Sequence, residues 1–177
     1  LWKVEGGALT STGTARGFLA SDQNYGNFRI IFSGKHAGTG HNPTFLFWGE
    51  SRTADAMSAI QLQLPTCGGW DYRPGHNDGI TVTNPTGGKV TIDMTQWYQC
   101  EVLANMTEGT LRQACCQLEG DGSTPCQGVE FCLYQNVSAA YDGPLGPQIH
   151  QPGLYDEYKD ICVETSPTNQ VLITTQY

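Results

Sequence analysis

IQLQLP, residues 60–65, decides how the chain folds. Ile60, Leu62 and Leu64 alternate with Gln61 and Gln63, the period of a strand with one dry face and one polar face. The alternation recurs along the chain. Phe28, Ile30 and Phe32 form one apolar set, and Val129, Phe131 and Leu133 form another, expected opposite Glu130, Cys132 and Tyr134. Leu145, Pro147 and Ile149 repeat it opposite Gly146, Gln148 and His150. Residues 97–104 and 111–118 read as two more strands, joined by a turn at Glu108-Gly109.

Runs of turn-forming residues at 22–26, 38–40, 84–88, 119–125 and 142–144 separate these strands. Only residues 53–58 read as a short helical turn. With 22 Gly, 9 Pro and 15% charged residues, the 177-residue chain favours short strands with many connections over a helical bundle. The expected fold is an all-β jelly-roll sandwich of two antiparallel sheets, one domain over residues 1–177. A net charge of -8 excludes nucleic acid and anionic membrane surfaces as partners, because no basic patch could release counterions. No apolar run is long enough to span a bilayer. A monomer is expected.

Seven cysteines without a Cys-x-x-Cys pair point to an oxidising compartment and to disulfides rather than a metal. Cys115 and Cys116 are adjacent, which suits two different disulfides, and the odd count leaves at least one thiol free or paired outside the chain. Asn105-Met106-Thr107 and Asn136-Val137-Ser138 have the form of glycosylation acceptors. Together these features describe a secreted, extracellular glycoprotein. The start at Leu1 without methionine is read as the end left by signal-peptide removal.

In a sandwich the aliphatic face of each strand packs on the opposite sheet, so the other face is wet unless it lines something. Here that face carries Gln61, Gln63, Gln148 and His150. Amides bind vicinal hydroxyls and aromatic rings cover the apolar face of a pyranose, so the pattern points to a sugar groove. The competing reading is a solvated sheet face. The loop CGGWDYRPGHNDG, residues 67–79, follows directly and holds Trp70, Asp71, Tyr72, Arg73, His76 and Asp78. Trp70 or Tyr72 suits a sugar platform, and His76 or Asp78 a proton carrier or metal ligand. The alternative is a disulfide-pinned loop whose aromatics pack on the sandwich edge.

Four stretches carry a family resemblance: residues 1–30 (LWKVEGGALTSTGTARGFLASDQNYGNFRI), 41–48 (HNPTFLFW), 60–65, and 143–164 (GPLGPQIHQPGLYDEYKDICVE). In this order they resemble the motifs of the 3-keto-disaccharide hydrolase family. The resemblance covers nearly the whole chain. It implies a concanavalin-like jelly roll and an activity on glycosides whose sugar carries a 3-keto group, by hydrolysis or elimination, sometimes with a divalent metal. By motif, Gln148 and His150 match the family's closing pair, Gln63 its glutamine and Asn42 its asparagine. The chain departs from the pattern at Gln61, which replaces a glutamate, at Pro65 and Thr66, where an aspartate is expected, and at Trp48, which replaces an arginine. An amide does not titrate, so a role carried by that glutamate in relatives is lost here or carried by another residue.

Glycoside hydrolysis ordinarily needs two carboxylates flanking the bond. Glu50, Asp71, Asp78, Glu101 and Glu130 are present, without a Glu-x-Asp-x-x-Glu pattern. Elimination needs instead a base beside a carbonyl and a group that polarises it. His150 and His76 suit the first task, and Arg52, Arg73 or a metal the second. No Gly-x-Ser-x-Gly elbow supplies a serine nucleophile.

The expected function is a carbohydrate-active protein cleaving glycosidic bonds of an oligo- or polysaccharide in a groove on the concave sheet. His150, His76 and Asp78 are its catalytic candidates. Asn42, Gln61, Gln63, Arg73 and Gln148 are the polar binding candidates, and Trp48, Trp70 and Tyr72 the stacking ones. The alternatives are a non-catalytic, lectin-like module and a disulfide-held structural protein. No cofactor is required by the pattern; a divalent cation, calcium or another, is admissible, with His41, His150 and Asp78 as its ligands. His36 is expected to be solvated.

Overall fold

The computed structural model describes residues 1–53 and 56–176. In chain order its strands begin with β1 (Trp2–Glu5), β2 (Ala8–Ser11), β3 (Gly17–Phe18), β4 (Phe28–Ala37), β5 (Thr44–Arg52), β6 (Met57–Gln63) and β7 (Gly69–Asp71). There follow β8 (Asp78–Gly79), β9 (Val82–Thr83), β10 (Tyr98–Asn105), β11 (Thr110–Gln117), β12 (Val129–Gln135), β13 (Gly146–Ile149) and β14 (Tyr155–Thr165). They form two antiparallel sheets, an eight-stranded one in the order β1-β2-β14-β4-β10-β11-β12-β9 and a six-stranded one in the order β3-β13-β5-β6-β7-β8. This is the expected all-β, concanavalin-like jelly-roll sandwich. Among the described residues no helix is long and apolar enough to cross a membrane.

Ile60, Leu62 and Leu64 lie in the interior with Phe45 and Phe47 of β5, against Phe28, Ile30 and Phe32 of β4. The two sheets meet through aromatic rings: Phe32 stacks on Phe45 at 4.7 Å and Phe28 on Phe47 at 5.7 Å. Such pairs add roughly 0.5–1.5 kcal/mol each beyond the area they bury. The turn before β11 falls at Gly109, whose φ of 64° an L side chain adopts with strain. A Cβ there would also meet the Val137 backbone at 2.4 Å.

Two expectations are corrected. The register of β11 and β12 shifts between Gln113 and Ala114, which leaves Phe131 as an extra residue in β12. Parity therefore flips beyond it: Cys132 and Tyr134 join the core and Leu133 faces outward, the reverse of the simple alternation. In the expected helical turn, Ala54 and Asp55 lie outside the described residues, while Met57 and Ser58 are strand, paired with Arg52 and Ser51.

Three disulfides form, Cys67–Cys132, Cys100–Cys115 and Cys116–Cys126, so the adjacent cysteines do serve different bridges. Cys162 is the free, exposed thiol. Cys67–Cys132 joins the end of β6 to β12 of the other sheet, closing a loop between positions 65 apart in sequence. On the outer face of the larger sheet, fully buried Glu101 accepts from Arg29 Nε (2.8 Å), the Ile173 amide (3.0 Å), and the Thr174 amide and hydroxyl (2.8 and 2.6 Å). Arg29 also donates to the carbonyls of Asn169 and Val171. Arg29, paired with both Glu101 and Glu164, thus fastens the C-terminal segment over that face.

Replacing Cys67 and Cys132 together by serine is expected to lower the unfolding free energy by about 2–5 kcal/mol, measured by urea denaturation. Arg29 keeps Glu164 as a counter-ion, so Glu101→Ala strands its Nε–H and three further donors rather than its charge, and a loss of about 1–3 kcal/mol is expected. Faster hydrogen exchange at the Ile173 and Thr174 amides would accompany it; unchanged exchange there would show that the segment is held by other contacts.

Candidate functional site

The wet face of the six-stranded sheet is built by the same alternation that fills the core. Cross-strand register places Thr44 beside both Gln63 and Gln148, and Leu46 beside Gln61. Gln61 and Gln148 are 2% and 1% exposed and bond to each other, Gln61 Nε2 donating to Gln148 Oε1 at 2.5 Å. Thr44 Oγ1 donates to the same oxygen at 3.3 Å. These two glutamines form a hydrogen-bonded polar floor, with Gln61 Oε1 and Gln148 Nε2 left without a partner among the described residues.

Above the floor is a cleft of about 530 Å³, lined by Arg16, His41, Gln61, Gln63, Gly69, Trp70, Tyr72, Asn77 and His150. Its size falls in the range of small-molecule sites, roughly 300–1,000 Å³. Trp70 is 38% exposed, and its indole N–H donates to Asn77 Oδ1 at 3.2 Å, which fixes the ring. Tyr72 sits beside it, with ring centroids 6.4 Å apart. Burial raises the Tyr72 phenol above its ordinary value, so it remains protonated and able to donate. Gln63 Oε1 accepts from Asn42 Nδ2 (3.3 Å) and Thr66 Oγ1 (3.5 Å), which leaves its Nε2 as a donor for a ligand.

His41 and His150 stack face to face, their centroids 3.7 Å apart and planes 7° from parallel. The Asn42 carbonyl can only accept, so His41 donates to it through Nδ1–H at 2.8 Å. His150 is pushed down to about 4, first by burial, then by His41 and by the Arg16 guanidinium. Its Nδ1 lies 3.4 Å from Gln61 Nε2. The imidazole is therefore uncharged at neutral pH, a proton acceptor rather than a donor.

Other sequence candidates lie elsewhere. Trp48, expected to stack on sugar, is fully buried in the core. Parity alone would put it on the wet face with Thr44 and Leu46. The β5–β6 irregularity after Phe47 and a φ of 54° at Trp48 turn it inward, where its indole N–H donates to the Gly26 carbonyl at 2.9 Å. Arg73, expected to bind substrate, is buried and forks onto Asp71 at 2.7–3.2 Å, its other arm donating to the Ser138 carbonyl. Burial works against ionisation of Asp71, but the hydrogen bonds and charge of Arg73 outweigh it and hold the carboxyl below its usual value. His76 and Asp78 share a separate cavity with Asp71, Tyr134 and Asn136, away from the lining that includes His150.

The metal set of His41, His150 and Asp78 is thus not assembled, and among the described residues no group of three His, Cys, Asp or Glu side chains could hold an ion. No described residue lining the cleft is a carboxylate. Glu101 is spent on Arg29, and Glu130 on Arg112 at 2.7–2.8 Å. Arg16 and Asn77 were not singled out from the sequence; each comes from a segment that shows no periodicity.

The fold has known relatives. The model of the 3-keto-alpha-glucoside-1,2-lyase-like domain matches residues 1–163. Among curated proteins none matches the chain. The fold is similar to that of a "putative glycosyl hydrolase" from Parabacteroides distasonis, at 18% identity and a TM-score of 0.62, over 94% of this chain and 83% of that one. It is equally similar to the carbohydrate-binding module CBM66 from Bacillus subtilis, at 11% identity and a TM-score of 0.63, over 93% and 91% of the two chains. A functionally unknown protein from Saccharomyces cerevisiae matches at 12% identity and a TM-score of 0.52, over 96% and 93%. The sandwich is thus shared by a hydrolase-type protein and a binding module, and the match over residues 1–163 shows that the chain belongs to the 3-keto-alpha-glucoside-1,2-lyase-like family.

Proposed function

We propose that the cleft takes a glycoside whose pyranose bears a 3-keto group and releases its substituent by elimination, with His150 as the base. The observation that carries this reading is an uncharged imidazole on a cleft whose described lining has no carboxylate. The usual pair of carboxylic acids is missing, so direct hydrolysis has no apparatus here. Elimination needs less. A proton on carbon 2, beside the carbonyl, passes to His150, and its electron pair is held as an enolate on the oxygen at carbon 3. When the carbonyl re-forms, a double bond appears between carbons 1 and 2 and the bond from carbon 1 to the glycosidic oxygen breaks. The alcohol leaves with the proton.

Arg16, which lines the same cleft, suits the developing oxyanion. Trp70 and Tyr72 offer a ring face, and Gln63 a donor for a hydroxyl. Once protonated, an imidazole whose pKa is near 4 is a strong acid, so it readily passes its proton to the departing oxygen. The low basicity slows the first transfer; the activating carbonyl makes that transfer feasible. Three disulfides support an extracellular setting for this activity, with Asn105 and Asn136 as glycan acceptors.

A second reading, binding without chemistry, is favoured by Gln61, which stands where the family pattern has a glutamate and is committed to the floor. Methyl 3-keto-α-glucopyranoside separates the two. Elimination yields an ultraviolet-absorbing enone and loss of the carbon-2 proton from the sugar, whereas a binder gives saturable binding without either. For the enzyme, His150→Ala is expected to lower kcat/KM by about 10²–10⁴-fold; retention of the wild-type rate would remove His150 as base.

The pH dependence has a defined sign. Activity should be level from pH 8 to 5 and fall as pH drops through about 4, where His150 takes its proton. The folded pKa lies below the unfolded value, so between roughly 6.5 and 4 the unfolded chain holds more protons. Stability should therefore decline as pH falls through that window, and His150→Gln should flatten the decline in a urea series.

A further inference from the structure

Parity puts Met57 and Ala59 on the same face of β6 as Gln61, and Leu46 of β5 stands opposite Gln61. Leu46, Met57 and Ala59 form a small apolar cluster apart from the main core, packed against Phe18, Ala20 and Tyr72. A hollow of about 240 Å³ opens on this cluster, its lining including Arg16, Ala56, Met57, Tyr72, Pro74 and Gln148. Arg16 and Tyr72 also line the cleft of His150, so the two hollows adjoin.

This hollow has donors to spare. Gln148 is 1% exposed, and its Oε1 accepts from Gln61 and Thr44, which leaves the two N–H groups of Nε2 unspent. Arg16 is exposed and forms no ion pair or hydrogen bond among the described residues. Its guanidinium carries five N–H donors, enough for this hollow and for an oxygen in the cleft. Its charge is felt on that side too, lowering His150 and working against the rise at Tyr72. No described residue lining the hollow or the cleft is a carboxylate. A different hollow, which meets the cleft at His41 and Gln63, holds Asp93 and His36. His36, expected to be solvated, is 5% exposed there, and its Nδ1 lies 2.7 Å from Oδ1 of the fully buried Asp156. The carboxylate of Asp93 disfavours an anion in that hollow, whereas Arg16 favours one in this.

We propose that the hollow of Arg16 and Gln148 binds a carboxylate on the leaving group, so that the substrate is a glycoside of an apolar, carboxylate-bearing aglycone. Arg16 meets the carboxylate through its guanidinium, and Gln148 Nε2 adds a second donor. Tyr72, Met57 and Pro74 flank the apolar body of the aglycone. That wall offers little to a hydroxyl-rich leaving group. A phosphate or sulfate ester asks for more donors than two side chains supply, and a chain of net charge -8 repels a dianion more than a monoanion. The proposal rests on the reading of the cleft as a glycoside site. It adds no chemical step: the aglycone oxygen leaves carbon 1 as the elimination requires.

The test uses 4-carboxyphenyl and 4-carbamoylphenyl α-glucopyranoside, which match in shape and differ in charge. Neither carries a 3-keto group, so both stay intact during titration calorimetry. The carboxylate should bind the wild type at least tenfold more tightly than the carboxamide, about the worth of one hydrogen bond to a charged group. Arg16→Gln, at an exposed position, should bring the two affinities to within about twofold of each other. Pro74→Asp, which sets a like charge on the exposed rim, should weaken the carboxylate about fivefold and the carboxamide less than twofold. Methyl 3-keto-α-glucopyranoside reports on the cleft separately. If it binds while the aryl pair bind equally, or not at all, the carboxylate pocket is overturned and the cleft stands. Failure of all three ligands to bind overturns the cleft reading and this proposal with it.

Discussion

A strand cannot choose its two faces independently, and in the six-stranded sheet that constraint sets almost everything else. Each residue that fills the core commits its neighbours to the opposite side. Phe45, Ile60, Leu62 and Pro147 face the larger sheet, so Thr44, Gln61, Gln63 and Gln148 must face away. A buried amide there is costly unless paired. The chain meets that cost with the Gln61–Gln148 bond, supported by Thr44, which runs from β6 to β13 across β5. Removing any one of the three would leave an unpaired polar atom under the cleft. Floor and core are two sides of the same alternation.

What was legible in the sequence follows that alternation, and what was not breaks it. Parity of residues 28–32, 60–64 and 145–149 predicts the sandwich and places Gln61, Gln63 and His150 on one side. Trp48 and Leu133 were misplaced because each lies beside a register shift, and an extra residue in one strand leaves no mark in a period-two pattern. His36 is a different case. Its parity with Phe28, Ile30 and Phe32 already pointed inward, and carrying the series four residues further would have buried it. Its partner was beyond reach, since Asp156 lies 120 positions away and only the β4–β14 pairing joins them.

The chemistry of the cleft follows from which charges the fold has neutralised elsewhere. Asp71 is forked by Arg73, Glu101 by Arg29 and two backbone amides, and Glu130 by Arg112. Each pair is structural, and none reaches the cleft lining. Two imidazoles and a guanidinium remain there, with amides and rings. Such a set cannot stabilise an oxocarbenium ion as a carboxylate would. It can hold an enolate oxygen and accept a carbon-bound proton, which is why the reading turns to elimination.

The wall of the cleft is better fixed than its loop-like sequence implies. Residues 67–79 carry five glycines or prolines and would be expected to sample many conformations. Cys67 is bonded to Cys132 of the opposite sheet, and Arg73 is tied to Asp71 and to the Ser138 carbonyl beyond β12. Both anchors bracket Trp70 and Tyr72, and the Trp70–Asn77 bond sets the indole within that bracket. A ligand that stacks here meets rings already in place, so little ordering entropy is lost on binding. The same anchors explain why Arg73, which looked like a ligand-binding cation, is buried: its charge holds the wall that carries Trp70 and Tyr72.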